Sequence, residues 1–250
     1  MTRLIVSGAC GRMGRMIAKE APDIGFSVVA GIDAYGCSNI GCPIFSAIDV
    51  CDVAADVLID FSSPGALMQL LAYAQAHKLP CVLGTTGYTP DDMKRIDEAA
   101  ARVAVFQASN MSVGVYVLKT LAAQAKAMLP GFDVEIVEKH HNKKADAPSG
   151  TALTLFDALK DADSLPVYGR EGCQAQRLPQ DIGLHAVRGG TMAGEHEVGF
   201  YGNNESLLLT HSAQSRHIFA LGALQAARFI IDKHAGRYGM AHMIGQSGRG

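Results

Sequence analysis

The chain has 250 residues, 48 % apolar and 18 % charged, enough for one large or two modest domains with cores of their own and too apolar for a disordered chain. Twenty-two Lys and Arg against 24 Asp and Glu leave a net charge of −2, which argues against a nucleic-acid protein that neutralises phosphates. No apolar run reaches the roughly 18–20 residues of a membrane span. The opening stretch Thr2–Ser7 runs into a glycine turn rather than a secretory leader, so a soluble, cytoplasmic setting is expected.

In the first half, apolar runs alternate with helical stretches. Strands are expected at 3–7, 27–33, 57–61, 81–84 and 103–108, with helices near 12–21, 64–77 and 90–102 between them. Strands separated by helices of ten to fifteen residues are βαβ units of a parallel sheet. These strands are apolar throughout, as happens when helices cover both faces. A long helix is expected at 113–128. The polar–apolar alternation of 134–138 then marks a strand with one exposed or cavity-facing side. After a helix near 149–159, alternating segments at 183–188, 195–201 and 206–211 predict an antiparallel or mixed sheet open on one face. A last amphipathic helix is expected at 218–233, and the tail from Gly245 is expected to fray.

The fold class is therefore α/β. A Rossmann-type doubly wound parallel sheet is expected over 1–110, completed by 213–250, and a second α+β domain with an open mixed sheet over 111–212.

The six cysteines (Cys10, Cys37, Cys42, Cys51, Cys81 and Cys173) contain no CxxC pair and lie in no zinc-type spacing with histidines, so free thiols and no metal site are expected. Gly8, Gly11 and Gly14 follow the first strand as GxxGxxG and open the first helix, with Cys10 where the usual motif has its second glycine. A helix start of this kind favours a pyrophosphate, and Asp33, about 20 residues on, is placed to bond a ribose 2′-OH. A carboxylate there repels a 2′-phosphate, and Ala34 follows rather than arginine, so NADH should serve at least as well as NADPH; Arg12 is the nearest candidate cation. Gly84-Thr85-Thr86-Gly87 and Ala108-Ser109-Asn110-Met111 end strands four and five, on the rim where such sheets bind ligands.

The run from Glu135 to Ala152 carries His140, His141, three lysines and Asp146, then Ser149 as the cap of a helix whose first residues are Gly150 and Thr151. Histidine donates protons near neutrality, and a helix start binds anions. Alone, the His-His-Asn-Lys-Lys stretch reads as readily as a solvated loop. Beside a capped helix and a dinucleotide turn, it reads as a pocket for a dicarboxylate that must also receive a proton. Adjacent histidines point to opposite sides of a strand, so a metal pair is not expected.

These residues give the chain its resemblance to the dihydrodipicolinate reductase family. GACGRMG at 8–14, GTTG at 84–87, ASNMSVGV at 108–115 and above all EIVEKHHNKKADAPSGTA at 135–152 resemble the family's motifs, and Arg188-Gly189-Gly190, Gly194-Glu195-His196 and 211–219 also fit. Met111 stands where many members have Phe. The resemblance implies reduction of 4-hydroxy-tetrahydrodipicolinate to tetrahydrodipicolinate in diaminopimelate and lysine biosynthesis, by a homotetramer joined through the second-domain sheet. It assigns His140 and Lys144 to proton transfer, and His141, Ser149, Gly150 and Thr151 to the substrate. It assigns the NADH or NADPH contacts to Gly8, Ala9, Cys10, Gly11, Arg12, Met13, Asp33, Gly84, Thr85, Thr86, Ala108, Ser109, Asn110 and Met111. Competing readings are another nicotinamide enzyme, such as an aspartate or homoserine dehydrogenase, and a dinucleotide-sensing module without catalysis.

Overall fold

A computed structural model describes residues 1–37, 40–173 and 175–247. In chain order the elements are β1 (Thr2–Ser7), α1 (Arg12–Glu20), β2 (Phe26–Ile32), β3 (Ile44–Phe45), β4 (Val57–Asp60), α2 (Leu67–His77), β5 (Cys81–Leu83), α3 (Pro90–Ala100), β6 (Ala104–Gln107), α4 (Val113–Met128), β7 (Asp133–His140), α5 (Gly150–Leu159), β8 (Leu165–Val167), β9 (Asp181–Arg188), β10 (Gly194–Gly202), β11 (Glu205–Ala213), α6 (His217–Ile230), β12 (Gly236–Tyr238) and α7 (Met240–Ser247). They form two compact units: unit 1 is Met1–Met111 with His217–Gly250, and unit 2 is Ser112–Arg216.

Unit 1 holds an all-parallel sheet in the order β12-β6-β5-β4-β1-β2-β3. β1, β4, β5 and β6 are apolar along nearly their whole length because helices cover both sides. Ile5, Leu58, Leu83 and Val105 pack with Leu67 and Leu70 of α2 and Ile96 of α3 in one buried cluster. Each such side chain contributes roughly 1.5–3 kcal/mol when fully removed from water. α6 packs beside β4, β5 and β6 and against α1. The strand order reverses at β1, so the carboxyl ends of β1, β2 and β4 meet around a crevice, where sheets of this order bind ligands.

Unit 2 is a mixed sheet in the order β11-β10-β7-β9-β8. β7 runs antiparallel to β10 and parallel to β9. Val134 and Ile136 of β7, Leu184 of β9, and Val198 and Phe200 of β10 join Leu118 of α4 and Leu155 of α5 in the core.

The edge strands β3, β8 and β12 and the helix α7 were not expected. The tail is helical as far as Ser247 rather than frayed from Gly245, and 248–250 lie outside the described residues. The expectation of six free thiols is also corrected: Cys10 and Cys37 form a disulfide, while Cys42, Cys51, Cys81 and Cys173 are free. Spacing gave no warning, because the partners are 27 residues apart in sequence and are joined only when β2 returns beside β1.

Candidate active site

In unit 1 a cavity of about 340 Å³ opens at the carboxyl ends of β1, β2 and β4. Gly8, Gly11, Asp33, Ala34, Tyr35, Phe61, Ser62 and Ser63 are among its lining residues. Gly8 has φ +74°, and a Cβ there would lie 2.4 Å from the Phe61 carbonyl oxygen. A Cβ on Gly14 would lie 2.2 Å from the Gly8 carbonyl, so this glycine lets α1 press onto the turn. No side chain caps α1, which leaves its first N–H groups to a ligand. Asp33 faces the same cavity with its carboxylate held by two backbone donors: Cys10 N to Oδ2 at 3.0 Å and Tyr35 N to Oδ1 at 3.1 Å. The cradle, the uncapped helix start and the oriented acid fit a dinucleotide.

The other unit 1 candidates divide. Ala9 is fully buried, Arg12 is exposed and Met13 is half-buried. Gly84 must be glycine because a Cβ would strike the Phe61 ring at 2.4 Å. The Thr85 hydroxyl is spent on Asp60, donating to Oδ2 at 2.6 Å, while Thr86 is exposed. Asp60 is fully buried and also accepts from the backbone and hydroxyl of Ser62, so it ties the β4 and β5 loops together. The Ala108 N–H bonds to the Leu83 carbonyl, Ser109 is exposed and Asn110 half-buried, and Met111 is only 1 % exposed.

In unit 2 the candidate site grows out of the sheet's inward face. On β7, Val134, Ile136, Glu138 and His140 share that face by the two-residue period of a strand. Glu138 lies opposite His196 of β10, and His140 opposite Arg188 of β9. Past Ile136 the inward layer thus changes from apolar to ionic. Glu138 is 0 % exposed and accepts four hydrogen bonds. Arg188 donates from Nη1 to Oε2 and from Nη2 to Oε1, both at 2.7 Å. Ser149 N donates to Oε1 at 2.9 Å, and His140 Nδ1 lies 2.6 Å from Oε2. Burial alone would raise the Glu138 carboxyl, but Arg188, His140 and the Ser149 N–H outweigh it and hold it below the usual carboxylate range. For His140 burial wins over the raising effect of Glu138, so its pKa lies below the ordinary 6.5. A neutral His140 that donates from Nδ1 to a carboxylate presents Nε2 as an acceptor. Nε2 lies beside Gly194, where a Cβ would sit only 2.9 Å away.

Ser149 caps α5 by accepting from Ala152 N at 3.2 Å. Its hydroxyl also shares a hydrogen bond with His196 Nε2, 3.1 Å away. His196 is 5 % exposed, stands edge-on to the His140 ring, and is driven to about 4 chiefly by burial, with the His140 charge adding to it. Its Nδ1 is buried without a hydrogen-bond partner. Gly150, the first residue of α5, is exposed, and a Cβ there would meet nothing within 4 Å, so the space before the helix is open; Thr151 follows it. His141 bonds through its backbone N–H to the Met192 carbonyl, and its Nε2 lies 3.5 Å from Arg216. Lys144 Nζ donates to both Asp146 carboxylate oxygens, at 2.8 and 2.9 Å. His140, Ser149 and the start of α5 thus belong to one network; Lys144 enters it through Asp146, whose carbonyl accepts from Arg188 Nη2.

Glu138, Arg188 and His196 had no assigned role in the sequence reading. The signal was available: Glu138 shares the parity of Val134 and Ile136, so it had to point inward and be paired. A larger cavity of about 670 Å³ lies at the opposite end of β7, where Lys126 and Arg177 are already paired with Asp161 and Asp133.

A doubly wound sheet of this order, in one chain with a second sheet that ends in buried ionisable groups, is the build of the nicotinamide-dependent oxidoreductases. Solved structures agree at the level of fold. A dipicolinate-bound dihydrodipicolinate reductase from Paenisporosarcina sp. TG-14 superposes with a TM-score of 0.79 at 22 % identity, covering 97 % of this chain and 99 % of that one. A WlbA dehydrogenase from Thermus thermophilus, solved with NAD and UDP-GlcNAcA, gives 0.55 at 14 % identity, covering 95 and 97 %. Two family models, described as dihydrodipicolinate reductase N-terminus and C-terminus, match residues 2–111 and 114–244. The 4-hydroxy-tetrahydrodipicolinate reductases of Clostridium novyi (strain NT) and Caldanaerobacter subterraneus subsp. tengcongensis are each 45 % identical to the chain, over 98 % of both lengths. The chain belongs to the dihydrodipicolinate reductase family, oxidoreductases of lysine and diaminopimelate biosynthesis.

Proposed function

We infer that the chain reduces 4-hydroxy-tetrahydrodipicolinate to tetrahydrodipicolinate with NADH at least as well as NADPH, unit 1 taking the nucleotide and unit 2 the dicarboxylate. The observation that carries this is the buried Glu138–His140 pair beside the capped start of α5: an oriented imidazole next to an anion site. The net change is one hydride and one proton in and one water out. A nicotinamide nucleotide supplies the hydride when bound. Gly8, Gly11 and the α1 start cradle its pyrophosphate, and Asp33 receives a ribose hydroxyl. A carboxylate there repels a 2′-phosphate, which is the reason for the NADH preference.

On the substrate side, the start of α5 at Gly150 and Thr151 holds one carboxylate, and His141 with Arg216 beside it holds positive or donor groups for the other. His140 moves a proton at Nε2 while Glu138 fixes Nδ1. Lys144 leaves Asp146 to face the ring nitrogen, where positive charge stabilises the electron density that arrives with hydride. The outward face of the unit 2 sheet, with Val187, Tyr201 and Leu208 exposed, is the surface through which copies of the chain would form a homotetramer.

The test is oxidation of each nucleotide with freshly generated substrate, on the wild type and on Lys144→Ala. Loss of a proton donor costs about 10²–10⁴-fold in turnover, and NADH affinity should stay within twofold. NADH affinity that collapses while turnover survives refutes the assignment.

A further inference from the structure

The Cys10–Cys37 bridge is not explained by folding. Disulfides stabilise small secreted domains that lack a sufficient core, whereas unit 1 buries a continuous apolar cluster from β1 to β6. Its placement says more. Cys10 lies inside the turn between Gly8 and Gly11, and its N–H holds Asp33 Oδ2. Cys37 lies on the segment joining β2 to β3, four residues after Asp33. That segment begins with Asp33, Ala34 and Tyr35, which line the nucleotide cavity, and Gly36 N bonds back to the Asp33 carbonyl. The bridge, with Cα atoms 5.7 Å apart, therefore closes a covalent ring through both walls of that cavity.

The surroundings fit a bond that can be opened. Cys10 and Cys37 are half-buried, and Ala34, Tyr35 and Gly36 beside them are exposed, Tyr35 to 98 %. The third cysteine of the segment, Cys42, is held as a thiol by burial, which raises its pKa and makes it a poor attacking group toward the bridge. Of the other free cysteines, Cys51 and Cys81 are buried and Cys173, of unit 2, is exposed.

We propose that Cys10–Cys37 is a redox-modification site that sets the affinity of the nucleotide cavity, taking a dithiol as its reductant. In the reductive direction a dithiol's thiolate attacks one bridge sulfur, the S–S bond breaks, and the second thiol of the reductant releases the mixed disulfide. Two electrons and two protons pass to the protein, which gains two thiols, and the reductant leaves as its own disulfide. Bridged, the cavity has its Asp33 wall tied to its glycine turn before the nucleotide arrives. Opened, Asp33 to Cys37 lose that covalent tie and must be held in place at the moment of binding, and affinity falls. The proposal rests on the nucleotide reading of unit 1.

The experiment treats the intact chain with oxidised glutathione or with dithiothreitol, maps its peptides by mass, and titrates NADH by fluorescence in each state. The expected result is a cross-linked peptide pair holding Cys10 and Cys37 after oxidation, and at least a threefold higher Kd for NADH after dithiothreitol. Cys37→Ser should show the higher Kd in both states. No cross-linked pair, or a wild-type Kd that dithiothreitol leaves within 1.5-fold, overturns the proposal while leaving the nucleotide reading intact. A chain that binds neither NADH nor NADPH in either state overturns both.

Discussion

Glu138→Gln separates a positioning role for this carboxylate from a merely structural one. The side chain keeps its shape and loses its charge. At present two oxygens accept four hydrogen bonds: two from Arg188, one from Ser149 N and one from His140. An amide oxygen can keep two of these, and the amide NH₂ then faces donors at the other two. One conflict can be relieved if His140 switches tautomer, so that Nδ1 accepts and Nε2 carries the hydrogen. The other leaves an Arg188 or backbone N–H without an acceptor. Breaking a buried, hydrogen-bonded ion pair on one side costs about 3–5 kcal/mol of stability. The tautomer switch removes the Nε2 acceptor, and loss of a correctly protonated acid–base group costs about 10²–10⁴-fold in turnover.

The discriminating measurement is the pH profile of kcat/KM. Glu138 raises the pKa of His140 while burial lowers it, and burial is the larger effect. Without the charge the His140 inflection must move to lower pH. Turnover within threefold of wild type, with the inflection unmoved, refutes the reasoning. Lost stability with an unmoved inflection reduces Glu138 to a structural residue.

Two further outcomes follow from the same cluster. His196 titrates near 4 in the folded chain and near 6.5 when unfolded. The unfolded chain therefore takes up its proton first as pH falls, and stability is lost between those values, by about 2 kcal/mol at pH 5. Urea melts at pH 7 and pH 5 should show this loss in the wild type and a smaller one in His196→Gln; equal losses count against a buried neutral imidazole. Gly194→Ala places a Cβ 2.9 Å from His140 Nε2. It should lower kcat at least tenfold while NADH affinity holds, as measured by steady-state rates and NADH titration, because a displacement of about 1 Å at a reacting group can cost 10²-fold.

The parts of the fold that were legible are those where one period dominates. Continuous apolar runs gave β1, β4 and β5, the first and last of them ending in glycine, and α4 was readable end to end because nothing interrupts Val113–Met128. The edge strands β3, β8 and β12 were not legible, since two or three residues carry no period. In the site, the histidine–lysine stretch before the Ser149 cap stood out as a charge cluster beside a helix start, and the family resemblance then singled out His140 and Lys144 within it. Glu138 could be placed inward by its parity with Val134 and Ile136, but Arg188 could not be named as its partner, because the two meet only through strands that pair 50 residues apart. Asp60 was hidden in the same way, as the last residue of an otherwise apolar run.

The cluster also raises a problem of proton supply. An imidazole whose pKa lies below 6.5 is mostly neutral at neutral pH, yet the proposed reaction consumes a proton on the substrate side. The dicarboxylate itself resolves this. Its two negative charges, which the proposed site brings to the start of α5 and to His141, favour the charged form of His140 and so work against the burial that depresses it. By linkage, a ligand that raises a group's pKa must take up protons as it binds. Calorimetric titration of dipicolinate, a stable cyclic dicarboxylate, in buffers of different ionisation enthalpy should therefore show net proton uptake near pH 7. The uptake should grow as pH falls toward the His140 midpoint and shrink in His140→Ala. Binding without proton uptake between pH 6 and 7.5 would mean that the imidazole stays neutral beside the dianion, and the proton would then have to come from Lys144 alone.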